Sequence, residues 1–353
     1  MLVLINKAGS GYRQLSMYFY GLCSNTKSHT NGQQKKQQES GRHIDWIWYL
    51  NVQILPVSKG ISYYSMAKIA AILVKRSFMP YLLSQQDISA FHRDGYLIKR
   101  NFFSTEEINI LYRLANDETI VSNALDLNDQ DGKRTRLTLW FTPGDDSFGL
   151  MSRTNRMVNS VKALLGDEGE VCHFHSKVMQ KEPRTGGAWE WHQDYGYWYK
   201  NGFLYPEAMI SVMLALTEAT IENGCLQVLK GSHKMQRLEH HFVGEQQGAD
   251  HLFVAEAEKF CEKVFVELSP GDTLFFHANI LHRSDANRSD TARWSIISAY
   301  NLDFNKPFIE GHASCTTPLQ TVPDDAIIKS GERKMNDTDF LTKEKEITLQ
   351  SPS

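Results

Sequence analysis

The pattern that most constrains the fold begins after Gly169. From there to Asn301 the chain consists of short β-rich runs in which apolar and polar residues alternate. Turn sequences such as Asn223-Gly224 and Pro270-Gly271-Asp272 separate the runs. Many short strands joined by turns after a helical region predict an antiparallel β-sandwich or barrel supported by helices. The strands are expected at residues 171–181, 188–192, 209–216, 225–229, 264–268, 273–276 and 292–301.

The helical region precedes Gly169. Residues 84–92 and 149–165 are predicted helices, and a short strand is expected at residues 96–98. A third helix begins at Ser104-Thr105-Glu106-Glu107, which has the spacing of a capping box.

The first 80 residues differ from the rest in composition. Residues 1–38 contain no Asp or Glu, and residues 30–41 are polar and low in complexity. Such a segment buries too little apolar surface to order itself, so residues 1–80 are interpreted as a disordered or atypical extension. A mitochondrial transit segment and a small folded element around residues 46–64 are the alternatives. Residues 81–310 are expected to form the main domain and residues 311–353 a polar C-terminal tail.

Charge and cysteine usage exclude several classes of protein. A net charge of −3 over 353 residues gives no reason to expect binding to nucleic acid. The five cysteines are scattered and form no CxxC pair, which argues against a disulfide framework and fits a reducing compartment. No apolar run reaches the ~18 residues of a membrane span. A cytoplasmic location is expected, with the mitochondrion as the alternative.

A candidate metal site lies in Trp191-His192-Gln193-Asp194. In an extended chain, residues two apart project to the same face, so His192 and Asp194 can address one point. His282, after the turn and strand that begin at Pro270, is the candidate third ligand. Two histidines and one carboxylate on one face of an iron(II) ion leave the opposite face open for a 2-oxoacid and dioxygen. Three other histidines compete for this role: His173, His175 and His277.

An isolated His-x-Asp pattern occurs by chance and is weak evidence of a metal site. Arg293 strengthens the prediction. It follows His282 by eleven residues, across a predicted turn at residues 287–290. A hairpin would return Arg293 to the neighbourhood of His282, where a guanidinium can hold a carboxylate through two parallel hydrogen bonds. The alternative is a solvated arginine at a sheet edge. For His173 and His175, we favour the interpretation that they share one face of a strand without binding metal.

The ordered set of motifs resembles the iron(II)/2-oxoglutarate dioxygenases, and more narrowly the phytanoyl-CoA dioxygenase family with its ectoine-hydroxylase branch. The resemblance runs from about residue 83 to about residue 307. It rests on these segments: Asp94-Gly95-Tyr96, Trp191-His192-Gln193-Asp194, Gly224-Cys225-Leu226, Lys230-Gly231-Ser232-His233 and Pro270-Gly271-Asp272. It implies a double-stranded β-helix, a cupin-like jelly-roll barrel. It also implies an oxidoreductase that uses Fe(II), 2-oxoglutarate and O2 and releases succinate and CO2.

The resemblance also implies roles for individual residues. His192, Asp194 and His282 match the iron ligands, which are the catalytic centre. Arg293 and Ser284 match the residues that bind the distal carboxylate of 2-oxoglutarate. Three more residues match the ectoine-hydroxylase branch: Lys181 matches a lysine that contacts 2-oxoglutarate, Trp198 an aromatic wall of the iron pocket, and His175 a substrate-contacting position.

The substrate stays open at this point. Hydroxylation of a small organic molecule or an acyl-CoA fits the resemblance, and no basic cluster marks a site for the phosphates of CoA. Two other classes of function remain. One is a catalytically inactive metal-binding jelly roll that acts as a sensor or interaction module. The other is a cupin-type enzyme that uses another metal.

Overall fold

The computed structural model describes residues 2–9, 12–20, 47–54, 83–166, 168–309, 313–336 and 338–341. The chain divides into two units, Met1–Met79 and Pro80–Ser353. In the first unit, the strands β1 (Leu2–Gly9), β2 (Tyr12–Tyr20) and β3 (Ile47–Ile54) form an antiparallel sheet in that order. The remaining residues of 1–80 and the end of the C-terminal tail lie outside the described residues. The interpretation of residues 1–80 as a disordered or atypical extension therefore stays a prediction, as does that of residues 311–353 as a polar tail.

The second unit contains helices that precede and flank its strands. Their bounds are α1 Gln85–Asp94, α2 Thr105–Ala115, α3 Glu118–Ser122, α4 Ser147–Ser152, α5 Asn155–Leu165, α6 Asp194–Trp198, α7 His251–Phe260 and α8 Ala326–Ser330. Capping boxes start two of them, at Ser84 with Asp87 and at Ser104 with Glu107, as the second motif predicts.

The strands of the second unit build two main antiparallel sheets and one hairpin. Their bounds are β4 Tyr96–Lys99, β5 Leu125–Asn128, β6 Arg134–Trp140, β7 Val171–Lys181, β8 Trp189–His192, β9 Met209–Ala215, β10 Leu226–Leu229, β11 His240–Val243, β12 Gln246–Ala249, β13 Lys263–Val266, β14 Thr273–His277, β15 His282–Ser284 and β16 Arg293–Leu302. The large sheet has the order β4-β14-β9-β16-β7-β6-β5. The small sheet has the order β13-β10-β15-β8, and β11 pairs with β12.

The two main sheets pack face to face around an apolar core. Met213 and Ile297 of the large sheet share one buried cluster with Val228 and Val266 of the small sheet. The opposite face of the large sheet, with Ile296 and Tyr300, packs against side chains of α2 and α5. Between β7 and β10, and again between β13 and β16, consecutive strands alternate between the two sheets. The predicted architecture, mainly β with flanking helices in a jelly-roll arrangement, is confirmed.

The alternation between sheets corrects one prediction. Arg293 does not return beside His282 across a hairpin, because β15 pairs with β10 and β8, whereas β16 pairs with β7 and β9. The chain between β15 and β16 crosses from the small sheet to the large one. A sequence pattern shows where two strands end, but it does not show in which sheet each finds its partner.

The predicted helix at residues 149–165 is also wrong in part. It is two helices, α4 and α5, separated at Arg153 and Thr154. Val322 pairs with the backbone there: its N–H donates to the carbonyl oxygen of Arg153, and its own carbonyl accepts from Asn155 at 2.9 Å. This docked segment, far away in sequence, takes the hydrogen bonds that would have continued the helix.

Candidate metal centre

The three predicted ligands lie together between the two sheets. His192 ends β8 and His282 begins β15, and the two residues are direct partners in the register of the small sheet. Gln193 is extended, with φ −111° and ψ 130°, so His192 and Asp194 project to the same side. Asp194 itself is the first residue of α6 rather than part of the strand.

The distances between these side chains suit one bound ion. Oδ1 of Asp194 lies 3.8 Å from Nε2 of His192 and 3.9 Å from Nε2 of His282. All three ligand atoms lie within 4.8 Å of one another, and all three residues are buried. Two metal–ligand bonds of about 2.1 Å span at most about 4.2 Å, which covers the two distances from Asp194 to the imidazoles. Among the described residues, this is the group of His, Cys, Asp and Glu side chains placed to hold a metal.

Hydrogen bonds select the tautomer of both histidines. Nδ1 of His192 lies 2.7 Å from the carbonyl oxygen of Glu190, and Nδ1 of His282 lies 3.0 Å from that of Ile280. A carbonyl only accepts, so each Nδ1 carries the proton and each Nε2 presents its lone pair to the centre. Burial lowers the pKa of both imidazoles, that of His192 most strongly. Both histidines are therefore held neutral, which is the form that binds metal.

Ser211 orients the carboxylate. Its hydroxyl donates to Oδ2 of Asp194 at 2.5 Å, which turns Oδ1 towards the two imidazoles. Sequence reasoning missed Ser211, although a signal was present. It is the one polar residue in the apolar strand β9, and such a residue needs a buried partner.

The segment between the ligands is held by the chain around β11. The backbone N–H of Gln193 donates to Nε2 of His240 at 3.0 Å, and its side-chain oxygen accepts from the N–H of Leu238 at 2.7 Å. A Cβ on Gly196 would lie 2.1 Å from the His240 ring, so α6 can approach His240 only with glycine there. Together these contacts fix the position of the His192–Asp194 turn.

The neighbouring hairpin also closes the outer edge of β8. The side chain of Gln246, in β12, accepts from the backbone N–H of Glu190 at 3.2 Å and donates to the carbonyl oxygen of Ala188 at 2.9 Å. One amide side chain thereby replaces part of a neighbouring strand. Neither this hairpin nor α7 was predicted from the sequence.

The competing histidines lie elsewhere. The nitrogens of His173 are bonded to the carbonyl oxygen of Phe141 and the hydroxyl of Ser176, each at 2.8 Å. The register of β7 against β16 shifts by one residue between His173 and His175, which pair with Tyr300 and Ala299. A bulge of this kind puts the two histidines on opposite faces, so the prediction that they share one face is wrong. His277 accepts from the N–H of Asn279 at 3.0 Å.

A second cluster joins Lys181, Ser284 and Arg293. Nζ of Lys181 donates to Oγ of Ser284 at 2.8 Å and to the carbonyl oxygen of Asp285 at 2.7 Å. Arg293 is the direct partner of Lys181 in the register of β16 against β7. The structure thus brings together the three residues that the resemblance assigns to 2-oxoglutarate, with Lys181 as the link between the sheets.

Neither cation of this cluster forms a salt bridge with an acidic side chain in the described part of the chain, and Asp285 and Asp129 act on Lys181 only from a longer distance. Arg293 donates to the carbonyl oxygen of Gly224 at 2.9 Å and lies 3.9 Å from the sulfur of Met213. Burial lowers the pKa of Arg293 to about 10. Burial, followed by the charge of Arg293, lowers the pKa of Lys181 well below its usual value. Like charges opposite each other in a sheet are unfavourable, so the site favours an anion between them.

The remaining two predicted residues form a separate aromatic group. Trp198 is buried and packs edge to face against Phe174 and His175, with ring centroids 5.3 and 5.9 Å apart. The group includes Phe203 and lies next to the metal centre through α6, which carries both Asp194 and Trp198. The functions expected of Trp198 and His175 stay predictions.

Helix length bears on membrane association. In the described ranges the longest helices, α2 and α5, have 11 residues each, and none could cross a membrane.

Sequence comparisons place this site in a known context. The model of the phytanoyl-CoA dioxygenase (PhyH) family matches residues 91–295. Ectoine dioxygenase from Sphingopyxis alaskensis is 25% identical over 247 residues, which cover 64% of this chain and 79% of that protein. A probable phytanoyl-CoA dioxygenase from Caenorhabditis elegans is 26% identical over 241 residues, which cover 63% of this chain and 76% of that protein.

Solved structures show the same fold. EctD from S. alaskensis with bound Fe matches with a TM-score of 0.57 and 22% identity, over 68% of this chain and 88% of that chain. The same protein with 2-oxoglutarate and 5-hydroxyectoine matches with a TM-score of 0.54 and 21% identity, over the same shares of both chains. This likeness confirms the predicted fold class.

Proposed function

The chain belongs to the phytanoyl-CoA dioxygenase family, and from that premise we propose that it is an iron(II)- and 2-oxoglutarate-dependent hydroxylase. The observation that carries the proposal is the pairing of two sites. A cluster of two histidines and one aspartate lies beside two buried cations that form no salt bridge among the described residues. The cluster of histidines and aspartate suits a divalent metal, and the pair of cations suits a carboxylate.

In this proposal His192, Asp194 and His282 hold Fe(II). Their donor set, two neutral imidazoles and one carboxylate, is that of non-haem iron(II) oxygenases. The carbonyl oxygens of Glu190 and Ile280 fix the two rings. Three protein ligands on one face leave room for a bidentate cosubstrate and for dioxygen.

Arg293, Ser284 and Lys181 bind the distal carboxylate of 2-oxoglutarate. The guanidinium supplies parallel donors, and Lys181 supplies a second charge through an ammonium already bonded to Ser284. A bound carboxylate offsets the desolvation cost of the two buried cations. Binding of 2-oxoglutarate therefore stabilises this site.

The bound iron supplies the oxidative chemistry: R–H, 2-oxoglutarate and O2 give R–OH, succinate and CO2. The chain's own residues position the reactants and exclude water. Ser211 keeps the Asp194 carboxylate turned to the centre, and the Gln193–His240 contact keeps the ligand turn rigid.

The relatives support a small-molecule substrate. One is named for ectoine and another for phytanoyl-CoA. A small free organic molecule or an acyl-CoA is therefore the proposed substrate class, and residues 81–310 are the proposed catalytic domain.

The test begins without knowledge of the substrate. Protein purified anaerobically and loaded with Fe(II) should develop a weak visible charge-transfer band on addition of 2-oxoglutarate. Asp194→Ala and His192→Ala should lose the band and the release of succinate. His241→Ala removes an exposed histidine of β11 and should keep both. A metal-loaded wild-type protein without the band would support the interaction-module alternative instead.

A further inference from the structure

Lys177 differs from every other residue of β7. The strand runs through the large sheet between β6 and β16, and its other ten residues are buried. Lys177 alone is partly exposed. Because neighbouring strands flank β7 on both sides, the partial exposure of Lys177 indicates an opening on the face to which its side chain projects.

The position of Lys177 places it on the face that bears the metal centre. Lys177 and Lys181 are separated by an even number of residues, with no shift of register between them, so both project to the inner face. Across the sheet Lys177 lies opposite Ile297, and the next inward position of β16 is Ala299, which lies opposite Ser211, the residue whose hydroxyl donates to Asp194. The opening at Lys177 therefore lies on the face of the large sheet that carries Ser211, next to Asp194.

The backbone neighbours of Lys177 in the sheet are apolar. Its partners in the register of the sheet are Leu139 of β6 and Ile297 of β16, both members of the core cluster between the sheets. Within the described ranges, no acidic side chain forms an ion pair with it. A charge in such a setting gains most from an anionic ligand.

The cosubstrate does not account for this third cation. Its distal carboxylate already has Lys181 and Arg293, which lie about 13 Å along the strand from Lys177 at ~3.3 Å per residue. Its other end belongs to the metal in the proposed function. The primary substrate is the reactant whose binding groups are still unassigned.

We propose that Lys177 binds a carboxylate of the primary substrate and holds the reacting carbon in front of the metal centre. This inference rests on the proposed function and deepens it. It favours a free carboxylic acid over its CoA thioester, because the thioester carbonyl carries no charge for Lys177 to pair with.

The experiment compares wild type with Lys177→Met, Lys177→Arg and a control, Lys162→Met, which removes a surface lysine paired with Glu170. The probes are hexanoate, hexanamide and hexanoyl-CoA, together with L-proline and L-prolinamide. Binding is measured by anaerobic titration of the Fe(II)-loaded protein, with and without 2-oxoglutarate. At least one acid should bind wild type, Lys177→Arg and Lys162→Met at least about tenfold more tightly than it binds Lys177→Met. The amides and the thioester should not distinguish the variants.

The affinity for 2-oxoglutarate provides the second arm. It should stay within about twofold of wild type in Lys177→Met, since its carboxylate sites are elsewhere. A fall as large as that of the acids would assign Lys177 to the cosubstrate and overturn the inference. Acids that bind no more tightly than their amides, or equally to Lys177→Met, would overturn it as well. A wild-type protein that gives no charge-transfer band would instead contradict the proposed function, and that readout is independent of Lys177.

Discussion

Replacement of Arg293 by methionine should strongly lower the affinity for 2-oxoglutarate but change the stability of the free protein only slightly. The guanidinium is buried, bonded to Gly224 and opposite Lys181. Truncating one partner of a buried charge pair costs at least about 2–3 kcal/mol of binding, so the Kd should rise about 100-fold. The free protein loses one hydrogen bond but also one buried charge, and its free energy of unfolding should change by less than about 1.5 kcal/mol.

The consequence for ligand-induced stabilisation follows by mass action. At 2-oxoglutarate equal to 100 times the wild-type Kd, wild type gains about 2.7 kcal/mol, whereas Arg293→Met gains about 0.4 kcal/mol. Urea unfolding with and without cosubstrate, on Fe(II)-loaded anaerobic protein, measures both values. Arg134→Met removes a half-exposed arginine paired with Asp126 and serves as the control. An unchanged Kd in Arg293→Met, or an equal loss in Arg134→Met, would refute the reasoning.

Three further predictions concern side chains around the site. Ser211→Ala should weaken metal binding about tenfold in equilibrium dialysis, because Asp194 loses its orienting donor; wild-type affinity would contradict this role. Gly196→Ala should lower the free energy of unfolding by about 1–3 kcal/mol through its clash with His240, and His240→Ala should remove much of that cost; an additive double variant would show the clash is absent. Burial lowers the pKa of His277 to about 3, so the unfolded state binds more protons below pH ~6.5, and stability should fall as the pH drops from there. His173 and His240 contribute in the same direction, so His277→Gln should reduce that slope in urea titrations at several pH values; an unchanged slope would exclude His277 as one of its sources.

The sequence predicted the elements that carry their own signal. The bounds of β7 match the prediction, since Gly169 and Pro183 lie close to the two ends of this eleven-residue run. The capping boxes at Ser84 and Ser104 start helices for the same local reason. The three candidate metal ligands were indicated by the His-x-Asp spacing and by the place of His282 after the turn and strand that begin at Pro270.

What depended on distant partners could not be predicted. The break between α4 and α5 comes from Val322, and the pairing of Arg293 with Lys181 comes from the crossover between sheets. The role of Lys177 could not be predicted either. Its residue type and its position in the run of residues 171–181 gave no indication that it faces the candidate ligands. That became apparent only when both sheets were in place.

The side-chain bridge from Gln246 to β8 has a consequence for how copies of the chain meet. β8 is the outermost strand of the small sheet, and its free backbone groups would offer a template for pairing with a second molecule. The side chain of Gln246 forms hydrogen bonds with the N–H of Glu190 and the carbonyl oxygen of Ala188, so these two groups are not free to pair with another strand. A single apolar replacement at Gln246 would free them, and the strand that delivers His192 would become the place where aggregation starts.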